Sequence, residues 1–163
     1  MEQAKKKEKK VCVLLHNIRS THNVGSIFRT ADASGVSKIY LSGYTPAPMD
    51  KFNRPRKDIA KVSLGAEKVV EWEQIKNPKI LIKNLKAKKY QIIALEQAKN
   101  SVDYKKVRAE HRVLFVVGNE VSGIPKEILK LCDIVAEISM AGEKESLNVS
   151  VAFGVTVFRI LNL

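Results

Sequence analysis

The sequence predicts an α/β domain with a mostly parallel sheet flanked by helices. Short, wholly apolar runs at VCVLL (11–15), QIIAL (91–95) and VLFVV (113–117) show no polar alternation, the mark of strands buried on both faces. Between the apolar runs lie segments whose apolar residues recur every three or four positions, the period of an amphipathic helix. Strands that alternate with helices need crossover connections, and crossovers make neighbouring strands parallel.

The elements follow in order. After VCVLL, the polar stretch HNIRSTHN (16–23) leads into a helical pattern over 23–34, with Val24, Ile27, Phe28 and Ala31 on its apolar side. Asn23 is expected to cap its start and Gly35 to stand just past its end. KIYLSG (38–43) is a second strand. Residues 43–58, GYTPAPMDKFNRPRKD, hold three of the five prolines and no apolar period, so they form a long loop. A short helix is expected within DIAKVSLGAE (58–67) and a strand at VVEW (69–72). Asn77 and Pro78 read as a cap and a first helical position for a helix running to about Lys89. Beyond the strands at 91–95 and 113–117, Pro125 opens a helix through Cys132, IVAEI (134–138) is the last strand, and 148–161 is a closing helix. Val149, Val151, Phe153, Val155, Val157, Phe158 and Ile160 make that helix apolar on more than one side. It either runs through the core or is covered in part by a second subunit. Residues 1–10, with five lysines and two glutamates, read as a disordered basic tail ahead of a single domain spanning 11–163.

Composition narrows the function. Twenty-nine basic residues face 17 acidic ones for a net charge of +12, and the tail accounts for only +3 of it. A basic folded body favours a polyanionic partner, because neutralising phosphates releases their counterions. No apolar run approaches the roughly 20 residues of a membrane helix, and no apolar h-region follows the N-terminal charges. The two cysteines, Cys12 and Cys132, form no C-x-x-C pair, which fits a reducing, cytoplasmic setting. No dinucleotide fingerprint, serine-hydrolase elbow or metal-ligand cluster is present, and GNEVSGIP (118–125) has Ile124-Pro125 where a phosphate loop needs Lys and Ser/Thr.

Three segments carry chemistry. In NIRSTHNVGSIFRTADASGV (17–36) a strand delivers a polar loop into a helix N-terminus, where anions bind, and Arg19 and Arg29 have the forked geometry that grips phosphate. Taken alone, the same residues read first as a capped helix with Arg29 paired to Asp32. In VVGNEVSGIP (116–125) a buried strand ends at Gly118, which lets backbone approach a flat ligand, and Glu120 places an acid at that edge. In ISMAGEKESLNVSVAFG (138–154) a strand end gives a loop and then a helix opening with Ser146 and Asn148, while Ile138, Met140 and Leu147 supply apolar walls.

Together these segments resemble, in order and spacing, the three motifs of the SpoU (TrmH-like) branch of the SPOUT RNA methyltransferases, over essentially all of residues 11–163. The strings GNEVSG and SLNVS are the most specific parts. The resemblance implies a C-terminal deep trefoil knot, a homodimer, and S-adenosylmethionine as methyl donor to a ribose 2′-hydroxyl. Chain length resembles the minimal members that act on the tRNA wobble position, and ribosomal RNA is the other substrate the family implies. By the same resemblance Gly118, Ile138, Met140 and Leu147 line the cofactor pocket, and Asn23, Arg29, Glu120, Ser146 and Asn148 occupy catalytic positions. A guanidinium keeps its proton near neutrality, so Arg29 is expected to hold a phosphate and stabilise a developing 2′-oxyanion rather than remove a proton.

For the RNA itself, Arg54, Arg56 and Lys57 crowd the proline-rich loop beside Lys51 and the potential stacking ring of Phe52, with Arg19 at the first helix. Lys79, Lys83 and Lys86 form a helical stripe that reads first as a solvated face. Three other readings fit parts of the pattern: a non-catalytic RNA-binding protein, a base methyltransferase of the same superfamily, and a flavodoxin-type nucleotide module that explains the strands but not the three segments.

Overall fold

The computed structural model describes residues 9–163. The expected tail therefore lies outside the described residues apart from Lys9 and Lys10, and Lys10 already belongs to a strand. Seven strands form one sheet: β1 (Lys10–His16), β2 (Lys38–Ser42), β3 (Glu71–Ile75), β4 (Gln91–Leu95), β5 (Val102–Asp103), β6 (Arg112–Val117) and β7 (Ile134–Glu137). Their spatial order is β3-β2-β1-β6-β4-β7-β5, and every pairing is parallel. The sheet is thus wholly parallel, beyond the mostly parallel arrangement expected.

The apolar runs explain why. In β1, Val11, Val13 and Leu15 enter one core, while Cys12 and Leu14 enter a second. Strand β6 divides the same way, with Val113, Phe115 and Val117 on one face and Leu114 and Val116 on the other. Both faces need a helical layer. The first is supplied by α1 (Thr21–Ala33), α2 (Lys57–Ser63), α3 (Ala66–Val69) and α6 (Val149–Leu161), and the second by α4 (Pro78–Ala87) and α5 (Lys126–Leu129). In the first layer Phe153 of α6 meets Phe115 edge-on, with ring centroids 6.5 Å apart. Because all strands run one way, the loops at 17–20, 43–56, 96–101, 118–125 and 138–148 leave the same carboxyl edge of the sheet, the edge at which α/β sheets bind ligands.

Several boundaries differ from expectation. Helix α1 is capped by Ser20, whose hydroxyl accepts the Asn23 N–H, so Asn23 sits in the first turn with its side chain free for other work. The strand expected at 69–72 begins at Glu71, because α3 takes residues up to Val69. The helix expected through Cys132 stops at Leu129. The two-residue β5 and the following 3-10 turn (Tyr104–Lys106) are too short to leave a periodic signature. The Asn77–Pro78 start is as expected, with the Asn77 side chain accepting from the N–H groups of Lys79 and Ile80. Helix α6 buries Phe153, Val157 and Ile160 on one side and leaves Val151, Val155 and Phe158 exposed on another. No helix among the described residues is long and apolar enough to cross a membrane.

The crossing of α1 and α2 depends on Gly25. A Cβ there would lie 2.8 Å from the Ile59 carbonyl oxygen and 2.9 Å from the Val62 Cβ. Gly25→Ala is expected to lower stability by about 1–3 kcal/mol through overpacking, measured by urea denaturation. Unchanged stability would mean that α2 shifts freely.

Candidate active site

Three loops converge through a relay of side chains. Glu120, at the end of β6, reaches across to the start of α1. Its carboxylate accepts the Arg19 N–H at 3.0 and 3.2 Å, the Ser20 N–H at 3.1 Å and the Asn23 side-chain amide at 3.0 Å. Asn23 is buried, and its Oδ1 accepts the Asn148 side-chain amide at 3.1 Å. Asn148 in turn caps α6, its Oδ1 accepting from the N–H and hydroxyl of Ser150. One residue from each of the three segments therefore stands in a single hydrogen-bonded row. Burial by itself would raise the Glu120 carboxyl, but the N–H donors of Arg19, Ser20 and Asn23 outweigh it and hold the group below its ordinary range.

A cavity of about 790 Å³ opens beside this row, lined by Gly118, Glu120, Ile138, Met140, Ser146 and Leu147. Its size is that of a small-molecule site, roughly 300–1,000 Å³. Among the described residues, no backbone–backbone hydrogen bond ties residues 139–147, so the main-chain groups of that loop stay available to a ligand, apart from the Glu145 carbonyl, which accepts from the Gln97 side chain.

Arg29 lies elsewhere. It is exposed on α1, makes no hydrogen bond or ion pair among the described residues, and does not line the cavity. The alternative pairing with Asp32 is absent among the described ion pairs, and Glu120 holds backbone amides rather than Arg29. Arg19 is exposed with its own backbone N–H on Glu120. In the proline-rich loop, Arg54 is bound to Asp50 at 2.9 Å and its guanidinium carbon stands 4.9 Å from the Phe52 ring centroid, with the Lys51 ammonium at 5.0 Å from the same ring. Arg54 is thus partly committed to an acid. Arg56 is half-buried, with an Nε that has no partner among the described residues, and Lys57 is exposed at the start of α2.

Two residues were not singled out from the sequence. Asn119 donates to the Asn17 carbonyl and the Tyr44 hydroxyl, both at 2.9 Å, while its Oδ1 accepts from Val121 and Ser122, so it folds the 118–125 loop and ties it to β1. Its place inside GNEVSG was the available signal. Glu96 follows β4 directly and lines the cavity. An acid at a strand's carboxyl end, after a stretch (74–95) with no other acid, was the one local signal, and it does not by itself mark a site.

Residues 10–158 match the profile of the SpoU rRNA methylase family. This chain belongs to that family. It is 32% identical over 157 residues to the tRNA (guanosine(18)-2'-O)-methyltransferase of Aquifex aeolicus, a match covering 96% of this chain and 71% of that protein. The crystal structure of the A. aeolicus TrmH/SpoU tRNA modifying enzyme superposes with a TM-score of 0.82 at 32% identity, covering 95% of this chain and 75% of the other. The AdoMet-bound rRNA methyltransferase from Sinorhizobium meliloti superposes with a TM-score of 0.84 at 30% identity, covering 94% of this chain but only 56% of its own. The SpoU chain described here thus spans little more than half of its S. meliloti neighbour.

The depressed Glu120 carboxyl ties the site to pH. A carboxyl lowered in the folded state contributes stability that is complete above its unfolded value, near 4.5, and is lost as pH falls through the lower folded value. Wild type is therefore expected to exceed Glu120→Gln in stability at neutral pH, with the gap closing in acid below about pH 4.5. Urea melts across pH 3–7 measure this, and a gap independent of pH would show that the carboxylate charge plays no part.

Proposed function

We propose that this chain transfers a methyl group from S-adenosylmethionine to a ribose 2′-hydroxyl of RNA, with tRNA the favoured substrate and ribosomal RNA the other candidate. The observation that carries the reading is the row Glu120–Asn23–Asn148, which ties all three segments together beside a cavity of small-molecule size walled by the second and third of them. The kinship with the A. aeolicus tRNA 2'-O-methyltransferase and the AdoMet-bound S. meliloti rRNA methyltransferase supports it. Ile138, Met140 and Leu147 supply apolar walls, and the main-chain groups of 139–147 other than the Glu145 carbonyl supply donors and acceptors for an adenine edge. The bound donor supplies an activated methyl on a sulfonium, so the protein's task is alignment and charge stabilisation.

The residues divide that task. Glu120 is a poor proton acceptor, since its carboxylate is already engaged by four close contacts and held ionised. It positions α1 and Asn23. Asn23 and Asn148 fix the first turns of α1 and α6, and Ser146 stands exposed at the cavity mouth within reach of an incoming ribose. Arg29, exposed on α1 outside the cavity with its guanidinium uncommitted, is assigned to an RNA phosphate, through which its charge reaches the developing oxyanion, and the hydroxyl proton leaves to water or phosphate. Arg19, Arg56 and Lys57, with the Lys51–Phe52–Arg54 stack, provide the basic and aromatic contacts for the RNA strand.

The assembly we propose is a homodimer. Val151, Val155 and Phe158 are 50%, 40% and 39% exposed and lie on one stripe of α6, an apolar face that a second copy covers. The family's trefoil knot belongs to the same reading, and the position of β4 between the later strands β6 and β7 supports it. Cys12 and Cys132 are unpaired, which suits the reducing cytoplasm, and burial, aided by Asp133, pushes the Cys132 thiol up to about 12, which keeps it protonated and unreactive.

Incubation with S-adenosylmethionine and tRNA transcripts, followed by nucleoside mass spectrometry, is expected to yield a 2′-O-methylnucleoside. A base-methylated product, or none from any RNA offered, overturns the reading. Arg29→Ala is expected to keep the fold and cofactor affinity while losing about 100-fold in turnover, the scale for removal of one stabilising donor. Near-normal turnover removes Arg29 from this role. Val155→Glu is expected to convert the dimer to a monomer in light scattering, and a wild-type monomer would rule out the α6 interface.

A further inference from the structure

Glu96 lines the cavity but takes no part in the Glu120–Asn23–Asn148 row. Glu96 is half-buried, and its backbone N–H continues the sheet by donating to the Ala136 carbonyl at 3.1 Å. Its side chain turns under the 118–125 loop. Oε2 accepts the Ile124 N–H at 2.9 Å and Oε1 accepts the Gln97 N–H at 2.8 Å. Oε2 also lies only 2.2 Å from where a Cβ on Gly123 would stand, so this approach requires glycine there. Gly123 in turn abuts Gly118, whose own Cβ would fall 2.6 Å from the Gly123 carbonyl carbon and oxygen. The neighbouring Gln97 donates to the Glu145 carbonyl at 2.9 Å, tying the opposite wall of the cavity to the same strand end.

Glu96 is therefore an anion on the cavity wall, held rigidly by two backbone donors and joined to no cation in the described ion pairs. A carboxylate offers about four lone-pair sites. One accepted hydrogen bond on each oxygen leaves both oxygens with acceptor capacity. Neutral O–H donors presented as an adjacent pair match that demand, and an acid at the carboxyl end of a strand is suited to the hydroxyls of a nucleoside ribose.

Resting on the methyl-donor reading above, we propose that Glu96 binds the ribose diol of the cofactor's adenosine. The same carboxylate thereby couples cofactor seating to the shape of the loop that carries Glu120. Recognition acts on the nucleoside and not on the charged methionyl part of the cofactor.

The test uses three probes on the full chain: S-adenosylhomocysteine, adenosine and 2′,3′-dideoxyadenosine, the last two measured by displacement of the first. Wild type is expected to prefer adenosine over the dideoxy compound by about 10-fold or more, the scale of hydrogen bonds to a charged acceptor. The preference is expected to shrink in Glu96→Gln and approach unity in Glu96→Ala. If the alanine variant does not fold, the glutamine variant decides. A preference unchanged by substitution, or an equal fall for both nucleosides, leaves Glu96 as a loop prop and overturns the inference, while S-adenosylhomocysteine binding by wild type keeps the methyl-donor reading intact. Failure of wild type to bind any of the three probes overturns both.

Discussion

The contact between the Glu120 carboxylate and the first turn of α1 organises the functional edge of this protein. A helix N-terminus carries a partial positive charge, and an anion beside it is favoured. Here the anion comes from the loop after β6, a hundred residues downstream, and it meets the backbone of Arg19 and Ser20. The Asn23 amide completes the contact and passes it to Asn148. Two helix starts and one loop are thereby held in a common geometry by charge-assisted and neutral hydrogen bonds, which are directional in a way that apolar packing is not.

The parallel sheet makes that contact possible. Strands β1 and β6 are neighbours in register, with Leu15 beside Val117, so the residues that follow them emerge side by side. The chain also reverses its direction of strand addition between β1 and β6, and such switch points open a crevice at the carboxyl edge. The loop from Gly118 to Gly123 folds back on itself there, with Asn119 and Gly123 exchanging backbone hydrogen bonds at 3.0 and 3.2 Å. Side chains at Gly118 or Gly123 would force the loop open, so the glycines keep Glu120 within reach of α1 and keep Glu96 beneath it.

Outside the cavity the surface divides by chemistry. Cations and an exposed aromatic ring gather on the 43–58 segment, where Lys51 and Arg54 flank Phe52. An apolar stripe of Val151, Val155 and Phe158 lies exposed on α6. A basic body thus combines an electrostatic face for a polyanion with a hydrophobic face that water does not favour.

Local pattern was enough for the centre of the sheet, because short runs without alternation have no solution except burial on both faces, and VCVLL, QIIAL and VLFVV became β1, β4 and β6 almost to the residue. It also marked the three segments, since glycines at strand ends and polar helix starts follow from local backbone rules. Short elements such as β5 and α3 escaped because two to four residues carry no period. Only the tertiary structure decided which cap holds α1. The local rule assigned that work to Asn23, but Ser20 took it, and Asn23 went instead to partners about a hundred residues away. Nor could the sequence say that Arg29 faces solvent while Glu96 faces the cavity. Those outcomes depend on how distant strand ends come together, a matter of strand order and crossover geometry that no local pattern encodes.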